Sequence, residues 1–166
     1  VFPNGALGSD PAMIGAVRGG TLDLTLTGNP FFTGMAPKLN VLDLPFLFDS
    51  RAHAAKVMDG SIGDGLRKEL EASNLKALAT WEIGWRNLTN SRRPVATAAD
   101  IKGLKIRTTP NPAHVKAFQL LGAVPTPMPF TELFSALETK TVDGQENPVT
   151  LILNAKNDFV LAFGSA

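Results

Sequence analysis

Hydrophobic and polar positions change their spacing along the chain, and each change marks a predicted element. Apolar residues at 13, 14 and 17 follow Pro11 at helical spacing, which predicts a first helix that ends at Gly19. Residues 22–27 read LDLTLT, an alternation that predicts a half-buried strand. Helices are expected at 51–58 and 62–73, and strand-like segments at 42–48 and 75–83.

The pattern restarts at Gly84, which we predict to be the crossing between two lobes. Strands are expected at 84–90, 104–107 and 142–147, and helices at 112–121, from Thr131 and from Pro148. Thr97 and Asp100 have capping-box spacing ahead of a short helical turn. Strands that alternate with helices of this length predict an α/β fold with mixed, mostly parallel sheets.

Composition narrows the functional classes. The 166 residues are 44% hydrophobic and 19% charged, as in an ordinary globular chain that can bury a core. A net charge of +1 argues against a nucleic-acid partner. The absence of cysteine excludes a disulfide framework and thiol chemistry. No apolar run approaches the roughly 20 residues that span a bilayer, and the sequence from Val1 onward does not read as a secretory signal.

Two arginines, Arg86 and Arg107, stand in segments without a nucleophile or metal cluster. The planar arginine fork matches a carboxylate bidentately and stays charged. Arg107 and Asn147 each end a predicted strand, and ligands of open α/β sheets collect beyond the carboxyl ends of the strands. A helix start at Pro148 would add attraction for an anion, and Phe130 could form an apolar wall. These features predict capture of a carboxylate, with no catalytic residue, metal or cofactor.

Longer runs carry a family resemblance. The runs GLKIR, GAVPTPMPFTELFSALET and VDGQENP occur in this order, after FPNGALGSD, GGTLDLTL and LNVLDLPFLFDS. The chain resembles the DctP-type substrate-binding subunits of TRAP transporters, the tripartite ATP-independent periplasmic carriers of organic acids. The resemblance implies a two-lobed architecture like that of periplasmic binding proteins, a periplasmic location, and the membrane subunits of the transporter as partners.

The resemblance also implies that the chain is a fragment. Residues 1–83 would form part of the first lobe, without its first strand and helix. Residues 84–166 would form most of the second lobe, with further elements after Ala166. The α/β fold would then be incomplete at both ends.

The family's binding residues carry over by position. In the second lobe, the resemblance implies that Arg107 clamps the ligand carboxylate bidentately and that Arg86 is a second contact, as in the sialic-acid type. Asn147 would support the same carboxylate, and Phe130 would pack on the body of the ligand. The resemblance therefore implies a carboxylate clamp in the second lobe.

In the first lobe, Asp10 matches a polar contact of the sialic-acid type. Asn29 and Gly28 match a position that contacts ligand hydroxyls in the family. The sialic-acid type has an acidic residue there. The distal end of the ligand is therefore expected to differ, and a sugar acid or hydroxy acid is the expected ligand.

Ordinary structural roles compete with ligand contact at these positions. They are ion pairs for the two arginines, helix capping for Asn147 and Asp10, and core packing for Phe130. His53 and His114 are expected to be surface or packed histidines. Two other functions stay open: an enzyme acting on small acids with Glu146 or Asp143 as base, and a ligand-sensing domain on the same scaffold.

Overall fold

The computed structural model describes residues 1–3, 5–155 and 163–164. The chain divides into two compact units, Val1–Trp81 and Glu82–Ala166. The division lies close to the predicted crossing at Gly84, and the assignment of the units to two lobes stays a prediction. Within the described ranges, no helix is both long and apolar enough to cross a membrane.

The first unit is built from helices. Its α-helices are α1 (Asp10–Arg18), α2 (Arg51–Met58) and α3 (Ser61–Lys68), and 3-10 helices span Asn29–Phe31, Pro37–Asp43 and Glu69–Ser73. The helices predicted from apolar spacing are confirmed, and α1 begins behind Ser9 with proline in its first turn. The buried core of this unit consists of Ile14, Ala36, Leu39, Leu66, Leu70 and Leu75.

The strands predicted in the first unit are wrong for the residues that the structure describes. Among the described residues, 22–27 and 75–83 pair with no strand, and Pro37–Asp43 is a 3-10 helix that overlaps the start of the predicted strand-like segment at 42–48. Leu24 and Leu26 are 60% and 67% exposed, and Trp81 is 69% exposed. Alternation defines two faces of a segment, but a strand also needs a neighbour that accepts and donates backbone hydrogen bonds.

The described residues of the second unit contain a five-stranded sheet. Its strands are β1 (Arg86–Asn90), β2 (Lys105–Thr108), β3 (Val124–Pro127), β4 (Gly144–Pro148) and β5 (Phe163–Gly164), in the order β3-β2-β4-β1-β5. Strand β2 pairs in parallel with β3 and β4, whereas β1 runs antiparallel to β4 and β5. The sheet is therefore evenly mixed rather than mostly parallel. Strand β3 was not predicted.

Helices cover this sheet, and two of them connect its parallel strands. They are α4 (Pro112–Leu120), α5 (Leu133–Glu138) and α6 (Val149–Asn154). Helix α4 lies between β2 and β3 in the chain, and its Phe118 packs on Leu88, Leu104 and Ile106. Helix α5 lies between β3 and β4 and packs separately with Val142. The turn that precedes α5 is capped by Pro129, so the predicted cap at Thr131 is wrong.

The strand order places a topological switch point beside β2. The connection through α4 leads from β2 to β3 on one side, whereas the connection through α5 leads back past β2 to β4. Right-handed crossovers in opposite directions put the two helices on opposite faces of the sheet. Ligand sites in α/β sheets form at such points, beyond the carboxyl ends of the parallel strands.

Candidate functional site

Arg107 lies next to the carboxyl end of β2 and is only 1% exposed. Its neighbour Ile106 packs in the core with Leu104 and Leu88, so the pleat of the strand turns Arg107 to the opposite face. Its Nε and Nη2 both donate to the carbonyl oxygen of Met128, at 3.0 and 2.8 Å. These two bonds fix the plane of the guanidinium.

Phe130 lies beneath Arg107. The guanidinium carbon of Arg107 is 5.9 Å from the centroid of the Phe130 ring, within the range of a cation–π contact. Phe130 is the first residue of the 3-10 helix Phe130–Glu132, and it packs half-buried against the cluster that contains Leu133 and Leu137. Core packing and support of the arginine are therefore combined in one side chain.

Arg86 forms an ion pair with Glu146. Its Nε donates to Oε2 of Glu146, and its Nη2 donates to Oε1 of the same carboxylate at 2.9 Å. Nη2 also donates to the carbonyl oxygen of Glu146 at 2.8 Å and to Oδ1 of Asn147 at 3.0 Å. The ion pair that competes with ligand contact at Arg86 is thus present. Sequence reasoning missed this partner, because only the antiparallel register of β1 and β4 brings the two side chains together.

Asn147 is 3% exposed and is bonded at both ends of its amide. Its Oδ1 accepts from Arg86, and its Nδ2 donates to Oε1 of Gln145 at 2.6 Å. Among the residues that the structure describes, no side chain caps α6, whose cap position is Pro148, so the alternative role of Asn147 as a helix cap is wrong. Asn147 instead connects Arg86 to the interior of the sheet.

His114 is a site neighbour that the sequence did not reveal. It lies on α4, and its Nδ1 is 2.6 Å from the hydroxyl oxygen of buried Thr109. Burial lowers the pKa of His114; the carboxylate of Glu146 opposes this shift, and the charges of Arg86 and Arg107 add to it. The imidazole is therefore held toward its neutral form, within electrostatic reach of both arginines.

The second unit thus brings together the four residues that the sequence predicted there. Arg107 and Gln145 are opposite each other in the parallel register of β2 and β4, and Asn147 lies two residues further along β4. Arg86 meets Asn147 from β1, and Phe130 lies under Arg107. Two guanidinium groups, a primary amide and an aromatic ring can together bind a carboxylate and the carbon chain attached to it.

Asp10 and Asn29 lie in the first unit and are held there by local contacts. Asp10, in the first turn of α1, accepts a hydrogen bond from the hydroxyl of Thr27. Asn29 donates through Nδ2 to the carbonyl oxygen of Leu39 at 3.0 Å and to Asp43 Oδ2 at 2.9 Å. In the part of the chain that the structure describes, no donor bonds to Oδ1 of Asn29. Contact of either residue with a ligand stays a prediction.

Asp143 and Glu146, the two carboxylates that could act as a base in an enzyme, have different bonding partners. Asp143 precedes β4, where its Oδ2 accepts from the backbone N–H of Lys105 at 2.9 Å and its Oδ1 lies 3.7 Å from Nε of Arg92. Glu146 lies in the middle of β4 and pairs with Arg86. Among the described residues, no group of three or more His, Cys, Asp and Glu side chains could hold a metal ion.

Comparison with known proteins gives the family. Residues 1–164 match the model of the DctP family, described as bacterial extracellular solute-binding protein, family 7. The 2,3-diketo-L-gulonate-binding periplasmic protein YiaO of Escherichia coli is 52% identical over 156 residues, which are 94% of this chain and 48% of that protein. The chain therefore spans about half the length of the curated relatives that it matches.

Solved structures agree in fold. A TRAP periplasmic solute-binding protein from Polaromonas, bound to D-erythronate, matches with a TM-score of 0.94 and 46% identity, over 96% of this chain and 53% of that one. The sugar acid binding protein DctPAm from Advenella mimigardefordensis, in complex with galactonate, gives a TM-score of 0.95 and 44% identity, over 97% and 52%. The predicted α/β solute-binding fold is confirmed, and the chain belongs to the DctP family of TRAP solute-binding proteins.

Proposed function

We propose that this protein captures an organic acid in the periplasm and delivers it to the membrane subunits of a TRAP transporter. Arg107 clamps the carboxylate of the ligand, and closure of two lobes about it produces the state that the membrane subunits recognise. The protein binds the acid without chemical change. No catalytic residue is assigned.

One observation carries this proposal: the buried and oriented guanidinium of Arg107. An arginine that is 1% exposed, fixed in plane by Met128 and supported by Phe130, has already lost its rotamer freedom. A ligand that meets a pre-organised donor pays less ordering entropy on binding. A planar fork of N–H donors at the switch point of an α/β sheet suits a carboxylate.

Arg86 has a different role from Arg107. Its charge is balanced by Glu146, so it attracts an anion less strongly than it would without that carboxylate. Its bond to Asn147 nevertheless places both side chains at the end of β4 near Arg107. We therefore assign Arg86 and Asn147 as secondary contacts that orient the carboxylate.

The proposed ligand class is a hydroxylated monocarboxylate. The relatives named above bind 2,3-diketo-L-gulonate, D-erythronate and galactonate, and all three carry one carboxylate on a chain of oxygen-bearing carbons. Asn29 and Asp10 of the first unit would hydrogen-bond the hydroxyl end of such an acid. Both Nδ2 protons of Asn29 are donated within the first unit, so its Oδ1 would accept from a ligand hydroxyl.

A thermal-shift screen against sugar acids, hydroxy acids and matching uncharged sugars tests the proposal. A ligand that binds only the native state raises the midpoint of unfolding with its concentration. We expect acids, and not their uncharged counterparts, to do so, and we expect the acid to be recovered unchanged. Stabilisation by uncharged sugars alone would contradict the carboxylate clamp. A product that depends on Glu146 or Asp143 would show that the protein is an enzyme.

A further inference from the structure

Gln145 is a fully buried amide in the middle of the candidate site, and no ligand role was predicted for it. Its side chain is 0% exposed. In the parallel register it lies opposite Arg107, and in the antiparallel register it lies opposite Thr89. Its Nε2 donates to the hydroxyl of Thr89 at 2.7 Å, and its Oε1 accepts from Nδ2 of Asn147 at 2.6 Å. Gln145 thus links β1 to Asn147.

Arg86 determines which atom donates and which accepts in each hydrogen bond of the series from Arg86 through Asn147 and Gln145 to Thr89. A guanidinium can only donate, so the Asn147 atom that faces Arg86 must be Oδ1. Nδ2 of Asn147 then faces Gln145, and the atom of Gln145 that it meets must be the acceptor Oε1. The remaining Nε2 of Gln145 donates to Thr89. Each amide in the series therefore has one permitted orientation.

We propose that Gln145 is a positioning residue for carboxylate binding, acting through Asn147; this inference rests on the proposed function. By accepting one Nδ2 proton, Gln145 holds the Asn147 amide with Oδ1 on Arg86 and directs the second Nδ2 proton to an oxygen of the ligand carboxylate. A single hydrogen bond thereby orients both a donor to the ligand and the neighbouring arginine.

A neutral amide suits position 145 better than a carboxylate or an apolar side chain. A glutamate there could still accept from Asn147, but it would add a buried negative charge opposite Arg107 and repel the carboxylate. An apolar side chain would leave the buried Nδ2 of Asn147 without its partner, which destabilises the required orientation. Glutamine accepts from Asn147, donates to Thr89 and adds no charge.

The test compares variants of the protein by calorimetry, with galactonate and D-erythronate as probes. Gln145→Met keeps the length of the side chain and removes both bonds, and Thr89→Val removes the anchoring hydroxyl. We expect Gln145→Met to weaken binding by about threefold to thirtyfold, because the bond that orients the buried Asn147 amide is lost. Thr89→Val should weaken binding less, and Thr89→Ser should restore the wild-type affinity. Thr139→Val, which removes a hydroxyl bond to the carbonyl oxygen of Ser135 at the C-cap of α5, is the control and should not change affinity.

A second readout does not need a ligand. In nuclear magnetic resonance spectra of the free protein, the side-chain amide of Asn147 is assigned from its loss in Asn147→Asp. We expect its protons to exchange faster with water in Gln145→Met than in the wild type and in Thr139→Val. Unchanged exchange, or wild-type affinity in a folded Gln145→Met protein, would overturn the inference. If the wild type bound no acid at all, the proposed function would fail, while the exchange rates would still decide whether Gln145 positions Asn147.

Discussion

The guanidinium of Arg107 lies over the ring of Phe130, 5.9 Å from its centroid, while two of its nitrogens donate to Met128. The residue is buried at the carboxyl end of β2, next to the switch point of the sheet. The aromatic face favours the cation, and the carbonyl oxygen fixes its plane. Met128 and Phe130 therefore orient the guanidinium of Arg107, which belongs to strand β2.

Replacement of Phe130 tests this support. Phe130→Leu removes the aromatic face and should weaken binding of an acid by about threefold to thirtyfold, since cation–π contacts contribute roughly 0.5–2 kcal/mol. The measurement is calorimetric titration together with a thermal melt. The matched control is Phe118→Leu, which changes a half-buried phenylalanine on α4 that packs against Leu104 and Ile106. Equal losses of affinity in the two variants would argue against a specific role of Phe130.

Removal of the Glu146 carboxylate should destabilise the second unit. Glu146 is 10% exposed at its side chain and accepts two bonds from Arg86, so Glu146→Gln should lower the free energy of unfolding by about 1.5–3 kcal/mol. Urea denaturation measures this loss. The control is Glu69→Gln, which breaks the 2.7 Å pair with exposed Lys38 and should change stability by less than about 1 kcal/mol. Similar losses in both variants would contradict the importance of burial.

His114 should make stability depend on pH. Burial holds its pKa below the usual value of about 6.5, so in acid the unfolded chain binds a proton that the folded chain resists. The contribution is fully present above about pH 6.5 and is lost as the pH falls from there through the folded pKa. The free energy of unfolding of His114→Gln should therefore change less between neutral pH and pH 5 than that of the wild type. If the free energy of unfolding of His114→Gln depended on pH as steeply as that of the wild type, this account would be contradicted.

Gly144 should tolerate no side chain. A Cβ at this position would lie 2.3 Å from the carbonyl oxygen of Thr89 and 2.7 Å from the Cβ of Asn90, on the neighbouring strand. Gly144→Ala should therefore force β1 and β4 apart and destabilise the protein by about 1–3 kcal/mol or more. The control is Gly15→Ala in α1, where a Cβ meets nothing within 4 Å and the change should stabilise by about 0.4–1 kcal/mol. If Gly144→Ala left the free energy of unfolding unchanged, the contact between β1 and β4 at this position would not be tight.

Helices were easier to predict from this sequence than strands. The segment at 51–58 carries its own signal, because Ser50 caps it and its side chain accepts from the backbone N–H of His53. The alternating leucines at 22–27 give no information about a partner strand. Among the described residues of the first unit, this segment pairs with no strand. Strand β3 was missed for the opposite reason. Pro125 and Pro127 argue against a strand, yet among the described strands β3 pairs only with β2 and lies at the edge of the sheet.

The site was predictable only in part. Arg107 and Asn147 could be located because they end predicted strands, and parallel strands end at one edge of a sheet. The partner of Arg86 depends on the β1–β4 register, which joins residues 60 positions apart. His114 gave no sequence signal, because its shifted pKa comes from burial and from charges on other elements. Motifs thus located the arginines, and tertiary packing determined their partners.

Calorimetric titration of Arg107→Lys and Arg107→Ala with an acid that the wild type binds tests the central claim most directly. Loss of one side of a buried, charge-assisted contact costs on the order of 3–5 kcal/mol, about a hundredfold to a few thousandfold in affinity. We expect no measurable binding by Arg107→Ala at micromolar concentration and a strong loss in Arg107→Lys, which keeps the charge without the fork. Arg86→Lys should lose less, because Glu146 already balances that charge. Wild-type affinity in a folded Arg107→Lys protein, with a large loss in Arg86→Lys, would contradict the account and reverse the two roles.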